Sequence, residues 1–380
     1  MRTFLRYDFI ICGAGCAGLS LVMHMIESGK FSDKKILIID KDPKHANDRT
    51  WCFWQKGEGM FEQIIYSQWK KLLFHGENYS SQLEIEPYYY KMIRGIDFYE
   101  YCFKKIRQQV NIDILFGKVD RLPAETNTGV IVDGQTIYAD YVFNSILFEK
   151  PTLHKNESWL LQHFKGWTIE TAEDCFDENV GTLMDFRTNQ DFGTAFYYVL
   201  PFSPRLALVE YTLFSDELLE QDRYDEGLEF YIKNILKISS YEINEKEFGV
   251  IPMTDFKFPS HENNVINIGT AGGQTKGSSG YTFNFIQKHS KVIVDSLVKT
   301  GKPFVSPTSR RFNFYDGVLL KVLKEEGMSG KKLFTELFKN NSVEKVFKFL
   351  DNETALVEEI KIITTLPTLP FLKAGIKQLI

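Results

Sequence analysis

The chain has 380 residues, with 45 Lys and Arg against 50 Asp and Glu, a net charge of −5 and an isoelectric point near 5.9. That length exceeds what one core usually supports, so two interlocked domains are expected. The acidic balance argues against a nucleic-acid partner, and no apolar run reaches the roughly 18 residues that a spanning helix needs.

Five cysteines, Cys12, Cys16, Cys52, Cys102 and Cys175, form an odd set without a CxxC pair, which speaks for a reducing cytosol and against a disulfide scaffold or a zinc site. The 32 Phe and 18 Tyr suit a long apolar tunnel for an unsaturated ligand, and equally suit ordinary cores in a compositionally biased chain.

In chain order, Tyr7 to Cys12 reads as a continuous buried strand that breaks into glycines, unlike a signal peptide. Leu19, Val22, Met23 and Ile26 follow helical spacing to Gly29, and a second buried strand runs from Lys35 to Ile39 and ends at Asp40, completing a right-handed βαβ unit. Residues 49 to 92 read as irregular and aromatic. A helix is expected over Phe98 to Gln109, and short strands around Ile112 to Phe116, Val130 to Val132 and Tyr141 to Phe143. An antiparallel meander follows over Thr182 to Arg187, Ala195 to Leu200 and Leu206 to Phe214, with turns at TNQDFG and PFSPR. A strand from Val265 to Ile268 enters GTAGGQTKGSSG, and a helix begins near Tyr281. From about residue 305, helical patterns dominate, including Val343, Val346, Phe347 and Leu350 behind Ser342.

Gly13, Gly15 and Gly18 form GxGxxG between the first strand and helix, where they permit a tight turn, admit a pyrophosphate to the backbone and let helix and strand pack closely. Asp40 is placed to accept ribose hydroxyls and would repel a 2′-phosphate. The first motif alone does not separate FAD from NAD. The late glycine segment, bounded by Gly269 and Gly280 and followed by a helix, offers a second helix N-terminus and so favours FAD, the bland alternative being a surface loop.

Strand alternation puts Leu206, Leu208, Glu210, Thr212 and Phe214 on one face. Glu210 is then a carboxylate among apolar neighbours, where desolvation raises its pKa and makes it a proton donor, unless that face is solvated. Asp185 and Arg187 share a face two strands away, roughly 10 Å across, and adjacent opposite charges commonly pair. There is no GxSxG, HExxH or GxxxxGK[ST] motif, the seven His are scattered, and no metal site is expected.

The βαβ opening followed in order by NDRTWCFW, LMDFR, FYYVLPFSPRLALVEYTLFS, GVIPMT and GTAGGQTKGSSGYTF resembles the bacterial and plant lycopene β-cyclase family, over most of residues 5 to 290. Glu210 and Thr212 match the first and third positions of the family's Glu-Asp-Thr or Glu-Glu-Thr, whereas Tyr211 stands where the second acid is usual. Trp51 is similar to an aromatic near the flavin, Arg94 in KMIRG to an arginine of related flavoproteins, and Gly269, Gly280 and Tyr281 to the flavin-closing motif, whose middle differs here. The resemblance implies Trp51, Asp185 and Tyr281 in a substrate or cation pocket.

It also implies an α/β fold in which a glutathione-reductase-type FAD-binding Rossmann domain (1–48, 92–150 and 246–300) interleaves with an antiparallel β-sheet substrate domain (49–91 and 151–245), ahead of a C-terminal helical region (301–380). The implied activity is lycopene β-cyclisation with Glu210 as acid, reduced FAD as a non-redox cofactor, and NADPH or NADH as reductant. Lycopene and other linear carotenoids are the expected partners, at a membrane surface reached from the cytoplasm. The candidate docking segment is LPTLPFLKAGIKQLI, through Leu366, Leu369, Phe371, Leu372, Ile376, Leu379 and Ile380 with Lys373 and Lys377, the alternative being a C-terminal helix that closes the substrate domain's own core. An FAD-dependent hydroxylase or isoprenoid reductase, and a non-catalytic flavin- or carotenoid-binding protein, are the alternatives.

Overall fold

In the computed structural model, which describes residues 6–123, 128–305, 309–325 and 328–379, the opening strand β1 (Arg6–Cys12), helix α1 (Cys16–Ser28) and strand β2 (Ile36–Asp40) form the βαβ unit. Next come β3 (Thr50–Lys56), β4 (Ser67–Trp69), β5 (Lys71–His75), β6 (Ser80–Glu84), β7 (Tyr88–Arg94), α2 (Gly95–Ile106), β8 (Ile112–Phe116), β9 (Val119–Arg121), β10 (Gly129–Val132) and β11 (Gln135–Asn144). The strands β12 (Trp159–Glu170), β13 (Val180–Asp185), β14 (Thr194–Ser203) and β15 (Leu206–Ser215) precede α3 (Gln221–Phe230). Then β16 (Glu242–Thr254), β17 (His261–Glu262) and β18 (Val265–Asn267) lead to α4 (Phe283–Thr300). The helices α5 (Arg310–Glu325), α6 (Gly330–Asn340), α7 (Val343–Leu350), α8 (Leu356–Ile363) and α9 (Thr368–Leu379) follow. Among the described residues no helix is long and apolar enough to cross a membrane.

The first sheet runs β17-β18-β11-β1-β2-β8, with β10 and β9 folded back on β11. Its central strands are parallel and covered on both faces, which is why β1 is a continuous apolar run, with Ile10, Ile11 and Cys12 fully buried. The second sheet runs β16-β12-β15-β14-β13-β5-β6 and is antiparallel except where β13 meets β5. Its strand β16 runs through residue 246 and stays in this sheet to Thr254. Side-chain alternation gives the sheet two apolar faces. Tyr198, Leu200, Leu208 and Phe214 pack with the C-terminal helices, while Tyr197, Val209, Tyr211 and Leu213 pack with Tyr224 and Leu228 of α3. The whole is an α/β fold in which a Rossmann-type sheet is interleaved with a largely antiparallel sheet and finished by helices.

Residues 49 to 92 are not irregular. They hold five strands, and β3, β7 and β4 form a third sheet of their own. The expected alternation is hidden because Phe53, Trp54, Trp69 and Tyr90 are all buried, leaving no polar face to mark a period of two. The helix expected over Phe98 to Gln109 is shifted to Gly95–Ile106, and α4 begins at Phe283, close to the expected start. In PFSPR the strand continues through Pro201 to Ser203, whose Oγ accepts the N–H groups of Arg205 and Leu206 and closes a tighter turn than expected.

Candidate active site

Gly166 of β12 is the register partner of Glu210 in β15 and also of Glu247 in β16. The two glutamates therefore stand in one row, on the strands flanking a residue without a side chain. Gly166 has to be small there, since a Cβ would lie 2.9 Å from both Cγ and Oε1 of Glu247. The missing side chain leaves room for the two carboxyl groups to meet above it.

Desolvation pushes Glu210 well above the usual carboxylate range, and the negative charge of Glu247 adds to the shift. Glu247 is raised as well, mainly by desolvation, but the Thr50 hydroxyl donating to its Oε2 at 2.7 Å and a hydrogen bond from Glu210 favour its ionised form. Thr212 Oγ1 donates to Glu210 Oε1 at 2.7 Å. Both carboxyl groups retain some accessible surface because they face a cavity, yet protein atoms crowd around them, so burial dominates their titration. Both carboxyl groups are pushed towards their neutral forms, Glu210 the further, so Glu210 is the member of the pair that keeps its proton more tightly.

The cavity, about 280 Å³, is walled by Trp51, Tyr90, Phe164, Tyr198, Leu208 and Tyr281. Tyr281 accepts hydrogen bonds from Tyr90 and Tyr198, and burial raises its hydroxyl to about 12. Gln162 Oε1, Ser279 Oγ and Glu247 Oε1 are buried without partners, and all three residues line this cavity. Orphaned polar atoms of this kind need a ligand or water to satisfy them. Two larger cavities adjoin it: one of about 620 Å³ shares Pro252, Thr270 and Thr275, and one of about 480 Å³ shares Phe283. In these, Lys288 engages Asp351 and Glu353, and Lys276 engages Asp316.

At the nucleotide end, Gly13 has φ +98° and a Cβ there would meet Ser145 Oγ at 2.2 Å, while a Cβ on Gly18 would meet Gly13 O at 1.9 Å. Gly15, the N-cap of α1, faces open space and no side chain caps the helix. That cradle, with free N–H groups at a helix start, fits a pyrophosphate. Asp40 accepts the Ala14 N–H at 2.6 Å and the Asp42 N–H at 2.8 Å, fastening the turn while keeping lone pairs for a ribose. The late segment starts in a tight turn at Gly269 beneath Ala17 and ends at Gly280, φ +71°, packed on Gln162. Thr282, the uncapped N-cap of α4, lines the Glu210 cavity, so a second helix start faces it.

The structure thus brings Glu210, Trp51, Gly280 and Tyr281 to one cavity, with Gly13, Gly15, Gly18, Asp40 and Gly269 along the adjoining turns. Arg94 lines a neighbouring cavity, is held by Asp97 through two hydrogen bonds and stacks 4.1 Å from the Tyr66 ring; Arg49 is the arginine at the Glu210 cavity. Asp185 lies outside the site. It pairs with Tyr197, whose neighbour is Tyr211, and bonds Arg187 at 2.5 Å and Tyr231 at 2.6 Å on the α3 side of the sheet, opposite to Glu210. Glu247, Gly166 and Gln162 were missed. Glu247 sits in EKEFG, where charges alternate without an apolar face, and only the tertiary register reveals it. FKGW does carry a cue, an isolated glycine inside a strand pattern.

Over residues 8–375 the chain matches the family model described as lycopene cyclase protein. A curated relative, the chloroplastic neoxanthin synthase of Solanum tuberosum, is 24% identical over 320 residues, covering 77% of this chain and 61% of that protein. The chain spans about three fifths of that relative's length. Among solved structures, a flavoprotein/dehydrogenase from Cytophaga hutchinsonii superposes with a TM-score of 0.62 at 12% identity, covering 98% of this chain and 99% of that one. A geranylgeranyl bacteriochlorophyll reductase-like protein from Thermoplasma acidophilum gives 0.59 at 13% identity, covering 97% and 96%, and a flavin-dependent brominase gives 0.61 at 11%, covering 94% and 98%. At such identities the likeness carries the fold, whereas the match over nearly the whole chain carries the family: this chain belongs to the lycopene cyclase protein family.

Proposed function

We propose that the chain converts the linear ψ-end groups of lycopene into β-ionone rings without net redox change. The observation that carries this reading is a pair of carboxyl groups, Glu210 and Glu247, set side by side over Gly166 at an aromatic-walled cavity. The Glu210 O–H protonates the terminal double bond, and the internal double bond attacks the resulting tertiary cation and closes a six-membered ring. The carboxylate pair then regains a proton as the β-ring double bond forms. The π faces of Trp51, Tyr198 and Tyr281 favour the cation, and the apolar walls keep out water that would trap it as an alcohol.

The glycine turn, Asp40 and the start of α4 would hold FAD, with the flavin end toward Trp51, Gln162 and Gly280. Bound in its reduced form, the flavin supplies anionic charge that stabilises a cation strongly in a dry cavity. NADPH or NADH is the proposed source of its electrons.

Lycopene is too apolar for free solution, so the enzyme is proposed to work from the cytoplasm at a membrane surface, docking through α9. Ala374 closes the core on one side of that helix, behind buried Leu366 in the preceding turn, while Leu369, Leu372, Ile376 and Leu379 are 50–77% exposed on the other. Ile380 lies outside the described residues.

The reading is tested anaerobically with the FAD-loaded protein and lycopene. Ring formation with reduced flavin, little with oxidised flavin, and no stoichiometric consumption of reductant are expected. The competing reading on this fold, a hydroxylase or isoprenoid reductase, ties each turnover to flavin oxidation and changes the product mass.

A further inference from the structure

A second, smaller cavity of about 130 Å³ lies behind the carboxylate pair and shares Thr50, Leu208 and Glu247 with the Glu210 cavity. Its other walls are different in kind. Asn244, Glu245 and Lys246 are exposed and open it to solvent, and Asn47, Thr168 and Arg94 add polar groups beside apolar Tyr66, Met92, Phe202 and Leu206. Glu247 is therefore a partition residue: it meets Glu210 over Gly166 on one side and the second cavity on the other, with Thr50 fixing its Oε2. When a long hydrocarbon fills the apolar cavity, water is displaced from Glu210 on that side, and the approach that remains is through Glu247.

We infer that the second cavity is a proton-exchange vestibule, and that Glu247 is the positioning residue that passes protons between it and Glu210 by a route separate from that of the substrate. The inference rests on the proposed cyclisation. Such a division gives cation chemistry what it needs, a rechargeable acid with no water beside the cation.

The balance makes this measurable. In each ring closure the Glu210 O–H bond breaks as a C–H bond forms at the terminal alkene carbon, the internal alkene supplies the electron pair of the new C–C bond, and a ring C–H breaks and returns its proton to the pair. No solvent proton is consumed, so the isotope delivered to the next ring reports how freely the pair exchanges between turnovers.

The experiment is multiple-turnover cyclisation of lycopene by the FAD-loaded full chain in deuterated buffer, with deuterium per ring read by mass spectrometry. Glu247→Gln removes the relay, and Thr168→Phe fills the vestibule, whose wall Thr168 forms, while both carboxyl groups are kept. The native chain is expected to deliver about one deuterium per ring, and both variants at least about twofold less, because recycled protons are not exchanged. A structural role for Glu247 would slow turnover without changing this ratio. Native-like deuterium content in both variants overturns the route. A native chain that forms no ring under these conditions overturns the underlying cyclase reading, and the route with it.

Discussion

Glu210 and Glu247 face each other across Gly166, the residue paired in register with both. The second acid that the sequence lacks at position 211 is thus supplied by another strand. Tyr211 points to the far side of the sheet, where its ring stacks 4.7 Å from Tyr197, so an acid there would not reach Glu210. The geometry predicts that Gly166→Ala, usually a favourable change within a strand by about 0.5–1 kcal/mol, preserves the fold but pushes Glu247 aside and lowers cyclisation by about tenfold or more. Thermal melting and turnover measured together check this.

A raised carboxyl pKa makes the pair a pH-dependent cost. Below the unfolded value of about 4.3 the folded and unfolded states both keep the Glu210 proton. As pH rises toward the higher folded value the unfolded chain releases it first, and stability falls by about 1.4 kcal/mol for each pH unit between the two values. Glu210→Gln removes this cost at its own position. Its melting temperature is expected to exceed that of the native chain at pH 8, with the gap closing toward pH 4; a gap independent of pH would contradict the protonated assignment.

Gly15 separates binding from folding. Its neighbours Gly13 and Gly18 have no room for a Cβ, whereas Gly15 faces open space. Gly15→Val is therefore expected to fold normally and bind at most about a tenth of the FAD, since the branched side chain occupies the pyrophosphate cradle. Flavin absorbance per folded protein reads the outcome.

Asp185 is structural in this arrangement. Its fully buried carboxylate serves Arg187 and the Tyr231 hydroxyl on the α3 side. Asp185→Asn is expected to cost about 1.5–3 kcal/mol, as for hydrogen bonds to a charged group, and to leave turnover per folded molecule within about twofold. Denaturant titration alongside an activity assay distinguishes this from a direct part in the reaction.

Membrane docking is proposed for the outer face of α9, and from Ile360 to Leu379 the chain carries lysines but no acidic residue. Leu372→Ser with Ile376→Ser removes apolar surface without disturbing buried Ala374. Co-sedimentation with phosphatidylglycerol-containing vesicles is expected to fall about tenfold or more, at roughly 25 cal/mol per Å² lost. Unchanged sedimentation would move the docking surface elsewhere.

The strand, glycine turn and helix at the start of the chain were legible because their signals are all local. Glu210 was legible because one strand's alternation suffices to place it among apolar residues. Glu247 and Gly166 were not, because their meaning comes from the register of three strands far apart in sequence. Asp185 misled for the same reason: its two-strand separation from Glu210 was read correctly, but which face it points to depends on bulges in the pairing of β13 with β14 and β5. The strands between residues 49 and 92 were hidden by aromatic residues buried on both faces.

The most direct measurement is to express the native chain and Glu210→Gln in a lycopene-accumulating host and analyse the pigments. The account predicts cyclic carotenoids of unchanged mass from the native chain, and uncyclised lycopene from the variant despite normal FAD content. A product of altered mass, or substantial cyclisation by Glu210→Gln, would contradict it.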